Sequence, residues 1–282
     1  MSRQKVALIT GCSSPTSLGA AMALTLLKRN WKVYATSIEA SSMTDLHKSG
    51  CEVLSLNVTK TTDIEAAAKA VGDHLDLLVN NAAVEGLGPL LDTDPDQFLE
   101  MYRINVLGPL MLVQALADAL VRCGGSVVNI GSVGVCGLPF HGVYASSKAA
   151  FQALSDVLRR ETAPLGLKVI TVELAMVMTA MLRAENPFPL DLPKEQRSLY
   201  FSKWYDGISS RYRKDIEERY DAAISSTKAA EQIIDAVEAQ VSGKIWVGTM
   251  AWIFKWLWPL LSTARQDKIN GGLLHVEMLK ES

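Results

Sequence analysis

Tyr144 and Lys148 stand four positions apart, and Ser132 lies twelve positions before the tyrosine. From Tyr144 to Glu161 the chain carries small residues first and then Phe151, Leu154 and Leu158 on one stripe, which predicts a helix. Residues i and i+4 share a helix face, so the phenol and the ammonium project together. A free tyrosine titrates near about 10, and a neighbouring cation pulls that value toward the range where a phenol exchanges protons at neutral pH. A serine hydroxyl beside them would hold the oxygen that receives the proton. Such a set is equipped to reduce a ketone or to oxidise the alcohol. A Tyr-x-x-x-Lys pair by itself is also a common surface contact, so the surrounding elements have to decide.

Those elements begin with Val6 to Thr10, a short apolar run suited to a buried parallel strand. It leads into Gly11-Cys-Ser-Ser-Pro-Thr-Ser-Leu-Gly19 and a helical Ala20 to Arg29. A strand, a turn of small residues and a helix N-terminus aim free N–H groups at an anion, although the same residues also make a plain tight turn. Alternation follows: strand-like Lys32 to Thr36, a helix near Met43 to Lys48, strand-like Cys51 to Asn57, and a helix opened by the capping box Thr62-Asp-Ile-Glu65. Leu75 to Asn80 is a fourth strand, and a long helix follows with Asp94 as N-cap and Pro95 at its first position. Ser126 to Gly131, the Tyr144 helix, Lys168 to Glu173, a helix from Lys228 to Gln240 capped by Thr227, and Lys244 to Val247 complete the series. This βαβ alternation predicts an α/β fold with a doubly wound parallel sheet and right-handed crossovers.

Over about residues 5 to 250 the chain resembles a classical short-chain dehydrogenase/reductase. The motifs that carry the likeness fall in order: Thr10-Gly11 with Gly19, Asn80-Asn81-Ala82-Ala83, Asn105, the set Ser132, Tyr144 and Lys148, and Val177 with Thr179. The resemblance implies a Rossmann-type sheet of about seven strands in the order 3-2-1-4-5-6-7. It implies that Tyr144 exchanges the proton, Ser132 positions the substrate oxygen, Lys148 holds the nicotinamide ribose and depresses the tyrosine pKa, and Asn105 keeps a water in the relay behind Lys148. The cofactor-binding set it implies is Gly11, Ser13, Ser14, Ser17, Leu18, Gly19, Ser37, Asn57, Val58, Asn81, Ala82, Tyr144, Lys148, Val177 and Thr179.

Departures from the family pattern cluster on the cofactor side. Gly11 and Gly19 are eight positions apart, so the loop is two residues longer than usual, and Ser17 replaces the middle glycine. Pro15 is then expected to shape a different path. Asn57 stands where an aspartate often contacts adenine, and Leu174-Ala175 replace a common Pro-Gly. At the end of the second strand, Ser37 is neither the acid that grips the ribose of NAD nor the base that pairs with the extra phosphate of NADP. The hydroxyl and the lack of a repelling carboxylate favour NADPH, while Glu39 argues for NADH.

Through Asp76-Leu-Leu-Val-Asn-Asn-Ala-Ala83, the Gly88-Pro-Leu-Leu91 that follows and a tryptophan-rich C-terminus, the chain looks within the family most like fungal reductases related to the NADPH-dependent 1-acyldihydroxyacetone-phosphate reductases, a group with many enzymes of secondary metabolism. The substrate expected is a ketone or secondary alcohol on a fairly large, lipophilic molecule. Its recognition falls to a lid-like insertion at 179–226, rich in aromatics and cations, and to Val133, Phe140, His141 and Met181 at the cleft. His141 reads first as a solvated loop histidine and second as an additional acid. An acyl-dihydroxyacetone-phosphate reductase, a non-redox isomerase or cyclase, and a cofactor-binding sensor are the alternatives on the same fold.

Composition agrees with a soluble enzyme, expected in the cytoplasm or at the surface of an internal membrane. The 282 residues, 49% hydrophobic, suffice for a single large domain over 1–250, and a formal charge of -2 gives no reason to expect nucleic acid. Cys12, Cys51, Cys123 and Cys136 show no paired spacing and no metal pattern, which suits reduced thiols. The family commonly forms dimers and tetramers, so a homo-oligomer is expected. The extension 251–282 opens with Ala251-Trp-Ile-Phe-Lys-Trp-Leu-Trp-Pro-Leu-Leu261, apolar but too short to span a bilayer. Three readings are open for it: a cover over the substrate pocket, a subunit contact, or an interfacial anchor.

Overall fold

The computed structural model describes residues 3–179, 181, 192–198, 201, 204, 207, 210, 214–215, 222–273 and 276. Seven short runs rich in apolar residues pair as one parallel sheet: β1 Val6–Ile9, β2 Lys32–Ser37, β3 Glu52–Ser55, β4 Leu77–Asn80, β5 Ser126–Ile130, β6 Lys168–Leu174 and β7 Gly243–Val247. Their order is β3-β2-β1-β4-β5-β6-β7, as the resemblance implies. The sheet reverses its winding between β1 and β4, where loops at the strand C-termini part and leave a crevice.

Among the described residues the α-helices are α1 Leu18–Lys28, α2 Thr44–Lys48, α3 Thr61–Val71, α4 Pro95–Tyr102, α5 Gly108–Cys123, α6 Gly142–Thr162, α7 Ser226–Glu238 and α8 Thr263–Leu273. Strand side chains alternate between faces. Ala7, Ile9 and Val33 thus pack with Leu26 of α1 and Ile233 of α7, while Leu8 and Leu78 pack with Ile64 of α3 and Leu116 of α5. Burying each such leucine or isoleucine stabilises the fold by about 1.5–3 kcal/mol, which holds the strand ends in place beneath the crevice.

Two of the expected caps move. Asp94 caps α4 as read, its Oδ1 accepting from the N–H groups of Asp96 and Gln97 at 2.9 and 3.0 Å. The Thr62 box does not form: α3 already starts at Thr61, Thr62 donates sideways to Asp63, and Asp63 accepts from the Asn57 N–H at 3.0 Å. For α7 the cap is Ser225, which accepts from Lys228 N at 3.2 Å, because Ser225 has the extended backbone a cap needs and Thr227 is already inside the helix.

Between α4 and α5 the helix does not break but widens into a π turn at Arg103–Leu107. Pro109 supplies the reason. It has no N–H to give the carbonyl four residues back, that of Asn105, and its ring crowds that carbonyl, so the chain takes an extra residue into the turn. The run Pro95–Cys123 is long and apolar enough to cross a membrane by length and composition, yet one side of it is buried in the sheet core.

Val177–Met178 pairs with Ile224–Ser225, so the two ends of the 179–226 excursion are joined by a short parallel ladder. Phe188, Leu190, Leu199, Tyr200, Tyr205, Arg183, Lys203, Arg211 and Arg213 lie outside the described residues. After β7, Ile253–Leu257 forms a second π turn and Trp258–Leu260 a 3-10 turn before α8.

Candidate active site

Ser132 leaves β5 in an extended conformation, and its Oγ accepts from Gly134 N at 3.0 Å, which opens the 3-10 turn Val133–Cys136. Ten residues on, α6 starts at Gly142 and places Tyr144 and Lys148 on its inner face. Both side chains are buried. Lys148 Nζ donates to the Ile130 carbonyl at 2.9 Å, tying the helix to the strand that carries Ser132, and lies 5.8 Å from the Tyr144 ring centre. All three line one cleft of about 1280 Å³ above the strand C-termini.

Burial decides the protonation of this pair. It lowers Lys148 to about 8, against the pull of Glu85 and Glu173. It also pushes Tyr144 above the ordinary phenol range, and the Glu85 carboxylate pushes the same way, while the Ser132 hydroxyl opposes them. The expectation of a depressed tyrosine is therefore corrected: desolvation, joined by the Glu85 carboxylate, sets the direction, and the phenol keeps its proton at neutral pH.

Asn105 does not reach the cleft. It sits in the π turn with Nδ2 donating to Val84 O at 2.9 Å and Oδ1 accepting from Val84 N at 2.9 Å, and Nδ2 also meets Ser147 Oγ at 3.1 Å. It locks the segment after β4 to the catalytic helix from behind. Asn80 and Asn81 diverge for the period-2 reason: Asn80 turns into the core and donates to Asn129 at 2.9 Å, while Asn81 donates to the carbonyls of Thr10 and Gly11 at 2.7 and 3.1 Å.

On the cofactor side Gly11, Ser13, Ser14, Ser17, Leu18, Ser37, Asn57, Val58, Asn81, Ala82, Val177 and Thr179 all line the cleft. Gly19 does not; it packs behind the loop, where an added Cβ would stand 2.7 Å from Gly11 O. The longer loop is resolved as a turn, with Ser17 N donating to Ser14 O at 2.9 Å and Pro15 at the second position. Ser17, in place of a glycine, caps α1 by accepting from Ala20 N at 3.1 Å. The first turn of α1 has no acid, so its N–H groups and dipole suit a pyrophosphate. These residues fit a nicotinamide dinucleotide, with Lys148 and Tyr144 at the reactive end.

The Ser37 hydroxyl is turned away from a ligand. It donates to Glu39 O at 2.6 Å and meets Ser42 Oγ at 3.0 Å, while Glu39 itself is exposed at the cleft edge.

Of the residues expected to meet substrate, Val133, His141 and Met181 line the same cleft, but Phe140 does not: its ring stacks on the buried Trp204 with centres 4.0 Å apart. His141 is not solvated. It is 4% exposed, with Nε2 3.3 Å from Glu85 Oε1. Glu85 is the residue that sequence reasoning passed over; its place two positions after Ala83 was the available signal. The C-terminal extension supplies Ile253, Phe254, Trp258 and Leu261 to the same cleft, next to Met250. Asn270 of α8 donates to the carbonyls of Cys136 and Gly137 at 3.2 and 3.3 Å and so pins the extension to the loop after Ser132.

A parallel sheet in this order, with a dinucleotide crevice at its switch point and a Ser, Tyr and Lys set beside it, defines a nicotinamide-dependent oxidoreductase. Residues 5–189 match the family model for short chain dehydrogenase. The chain belongs to that family and is an NAD(P)-dependent oxidoreductase acting on CH–OH and C=O groups of small molecules. It is 31% identical to the short-chain dehydrogenase ptmH of Penicillium ochrochloron over 273 residues, 95% of this chain and 97% of that one. To the short-chain dehydrogenase cctT of Talaromyces islandicus it is 38% identical over 205 residues, 71% of each chain. A short chain dehydrogenase from Burkholderia cenocepacia solved in complex with NADP superposes with a TM-score of 0.72 at 25% identity, covering 96% of this chain and 98% of that one.

Proposed function

We propose that this enzyme reduces a ketone on a large, lipophilic fungal metabolite, with Tyr144 as proton donor and NADPH as cofactor. The observation that carries this reading is the convergence of Ser132, Tyr144 and Lys148 on one cleft whose far end is the α1 loop. When bound, the dinucleotide supplies hydride to the carbonyl carbon. Ser132 donates a hydrogen bond to the carbonyl oxygen and Tyr144 gives it a proton, so C=O becomes CH–OH and the phenolate left behind faces the Lys148 ammonium. A phenol held protonated by burial is in the state that reduction requires.

NADPH is favoured by the absence of an acid at Ser37. Glu39 at the cleft edge favours NADH as a second reading. Among the described lining residues Lys148 is the sole lysine or arginine, so the preference for either cofactor is expected to stay within about tenfold in kcat/KM, a difference of about 1.4 kcal/mol.

Residues 179–226 act as lid and 251–282 as pocket cover in this reading. Leu99, Leu107, Leu154 and Val157 are exposed on α4 to α6 and support assembly into a homo-oligomer through that side. The test of the central assignment is Tyr144→Phe. Cofactor affinity is expected to hold within a few-fold while kcat falls by at least about 10²-fold. Retained turnover, or product formed by the wild-type enzyme without NADPH oxidation, would overturn it.

A further inference from the structure

Glu85 places a carboxylate in the cleft that Val84, Val133, Leu138, Phe254 and Trp258 also line. Its position is fixed from two sides, by the paired hydrogen bonds of Asn105 to the Val84 backbone and by His141 at 3.3 Å from Oε1. The other nitrogen of His141, Nδ1, lies 3.3 Å from the Pro139 carbonyl. The imidazole thus lies between a carbonyl oxygen and the Glu85 carboxylate, and the Oε1 side of the acid is turned toward it. Oε2 makes no hydrogen bond or ion pair among the described residues, and the side chain keeps 28% of its surface, at the cleft.

An apolar ligand that closed over this oxygen would strip it of water and return nothing. A ligand hydroxyl would donate to it. We propose that Glu85, seated by His141, accepts a hydrogen bond from a hydroxyl of the substrate, which makes the substrate class a lipophilic ketone bearing a phenolic or alcoholic hydroxyl near its reacting carbonyl. The proposal rests on the reductase reading above. Discrimination follows from the same physics, since a site built around a substrate hydroxyl leaves its own polar group unpaired when an analogue lacks one.

The experiment compares tetralone with its isomers hydroxylated on the aromatic ring, using NADPH and the full-length wild-type and Glu85→Gln enzymes. At least one hydroxytetralone is expected to exceed tetralone in wild-type kcat/KM by about tenfold or more, mainly through KM. In Glu85→Gln that ratio is expected to fall toward one, whatever happens to the absolute rates. If no isomer surpasses tetralone in the wild-type enzyme, the proposal fails without reference to any variant. If Glu85→Gln slows every ketone alike and leaves the ratio intact, the acid serves Tyr144 and Lys148 instead, and the proposal fails. Absence of NADPH oxidation with every ketone would count against the reductase reading; calorimetric titration of the same panel then tests Glu85 separately. Tighter binding of a hydroxytetralone that Glu85→Gln abolishes would uphold the contact, and equal binding of all would overturn it.

Discussion

Lys148 donates to the Ile130 carbonyl from a site that excludes water, and the cost of keeping a cation there brings its pKa to about 8. The ammonium is present below that value and lost above it. The kcat/KM for ketone reduction is therefore expected to decline above about pH 8, measured with saturating NADPH, and Lys148→Arg is expected to move the alkaline limb upward because a guanidinium does not deprotonate in this range. Glu173 behaves in the opposite sense. Burial raises it from 4.5 to about 7, with Asp156 adding to the shift and Lys244, 3.5 Å away, and Lys148 opposing it. Between those two values the folded chain holds a proton that the unfolded chain releases, so this group costs stability progressively as pH rises from about 4.5 to 7, by roughly 3 kcal/mol at most. Glu173→Gln is expected to raise Tm relative to wild type by more at pH 8 than at pH 5. An unchanged difference across that range would show that Glu173 titrates normally.

At the level of elements, Pro109 sets the local geometry that Asn105 uses. The π turn at Arg103–Leu107 turns the Asn105 amide toward Val84 and Ser147, and through them it braces both the segment that bears Glu85 and the helix that bears Tyr144. Replacing Pro109 with alanine restores the missing N–H and removes the ring that crowds the carbonyl of Asn105, so α4 to α5 can return to regular α-helix. Stability is expected to rise, by up to about 3 kcal/mol, while kcat drops several-fold as Asn105 is rotated away. Loss of activity without a gain in Tm would count against this account. The caps carry a related lesson. Asp94-Pro95 was legible because an N-cap acid and a proline at the first position leave little choice. Ser225 was missed for Thr227 because three hydroxyl residues, Ser225, Ser226 and Thr227, stand in a row, and only the backbone conformation distinguishes a cap from a first-turn residue.

At the scale of the whole molecule, the C-terminal extension has two sides. Ile253, Phe254 and Trp258 face the cleft, whereas Trp252, Trp256 and Leu260 are 58%, 63% and 80% exposed. Lys255 lies over the rings of Trp246 and Trp256 at 5.1 and 4.7 Å, which anchors the segment to β7. Truncation after Gly248 is expected to raise KM for a lipophilic ketone by tenfold or more while leaving cofactor affinity within a few-fold, because Ile253, Phe254, Trp258 and Leu261 are lost from the cleft. Equal KM in the truncated enzyme would refute the pocket-cover reading. Light scattering of the two forms then reports whether the exposed tryptophans also take part in assembly.

The periodicities of the apolar runs and the i, i+4 spacing of Tyr144 and Lys148 were enough to predict an α/β fold and a shared helix face, because each is a local property of the chain, whereas the sheet order was implied by the family resemblance and is borne out by the structure. The altered loop was also readable in part, since Pro15 restricts the turn wherever it is placed. What required tertiary structure was every property set by burial or by residues distant in sequence. The phenol of Tyr144 is raised and not lowered because it is desolvated. His141 is buried against Glu85, 56 residues earlier, and not solvated, and Phe140 faces Trp204 and not the substrate. The apolar C-terminus joins the active site because α8 docks through Asn270 on the loop after Ser132. Spacing along a helix determines which side chains point together, but the dielectric around them and the partners brought from elsewhere are decided only when the chain has closed on itself.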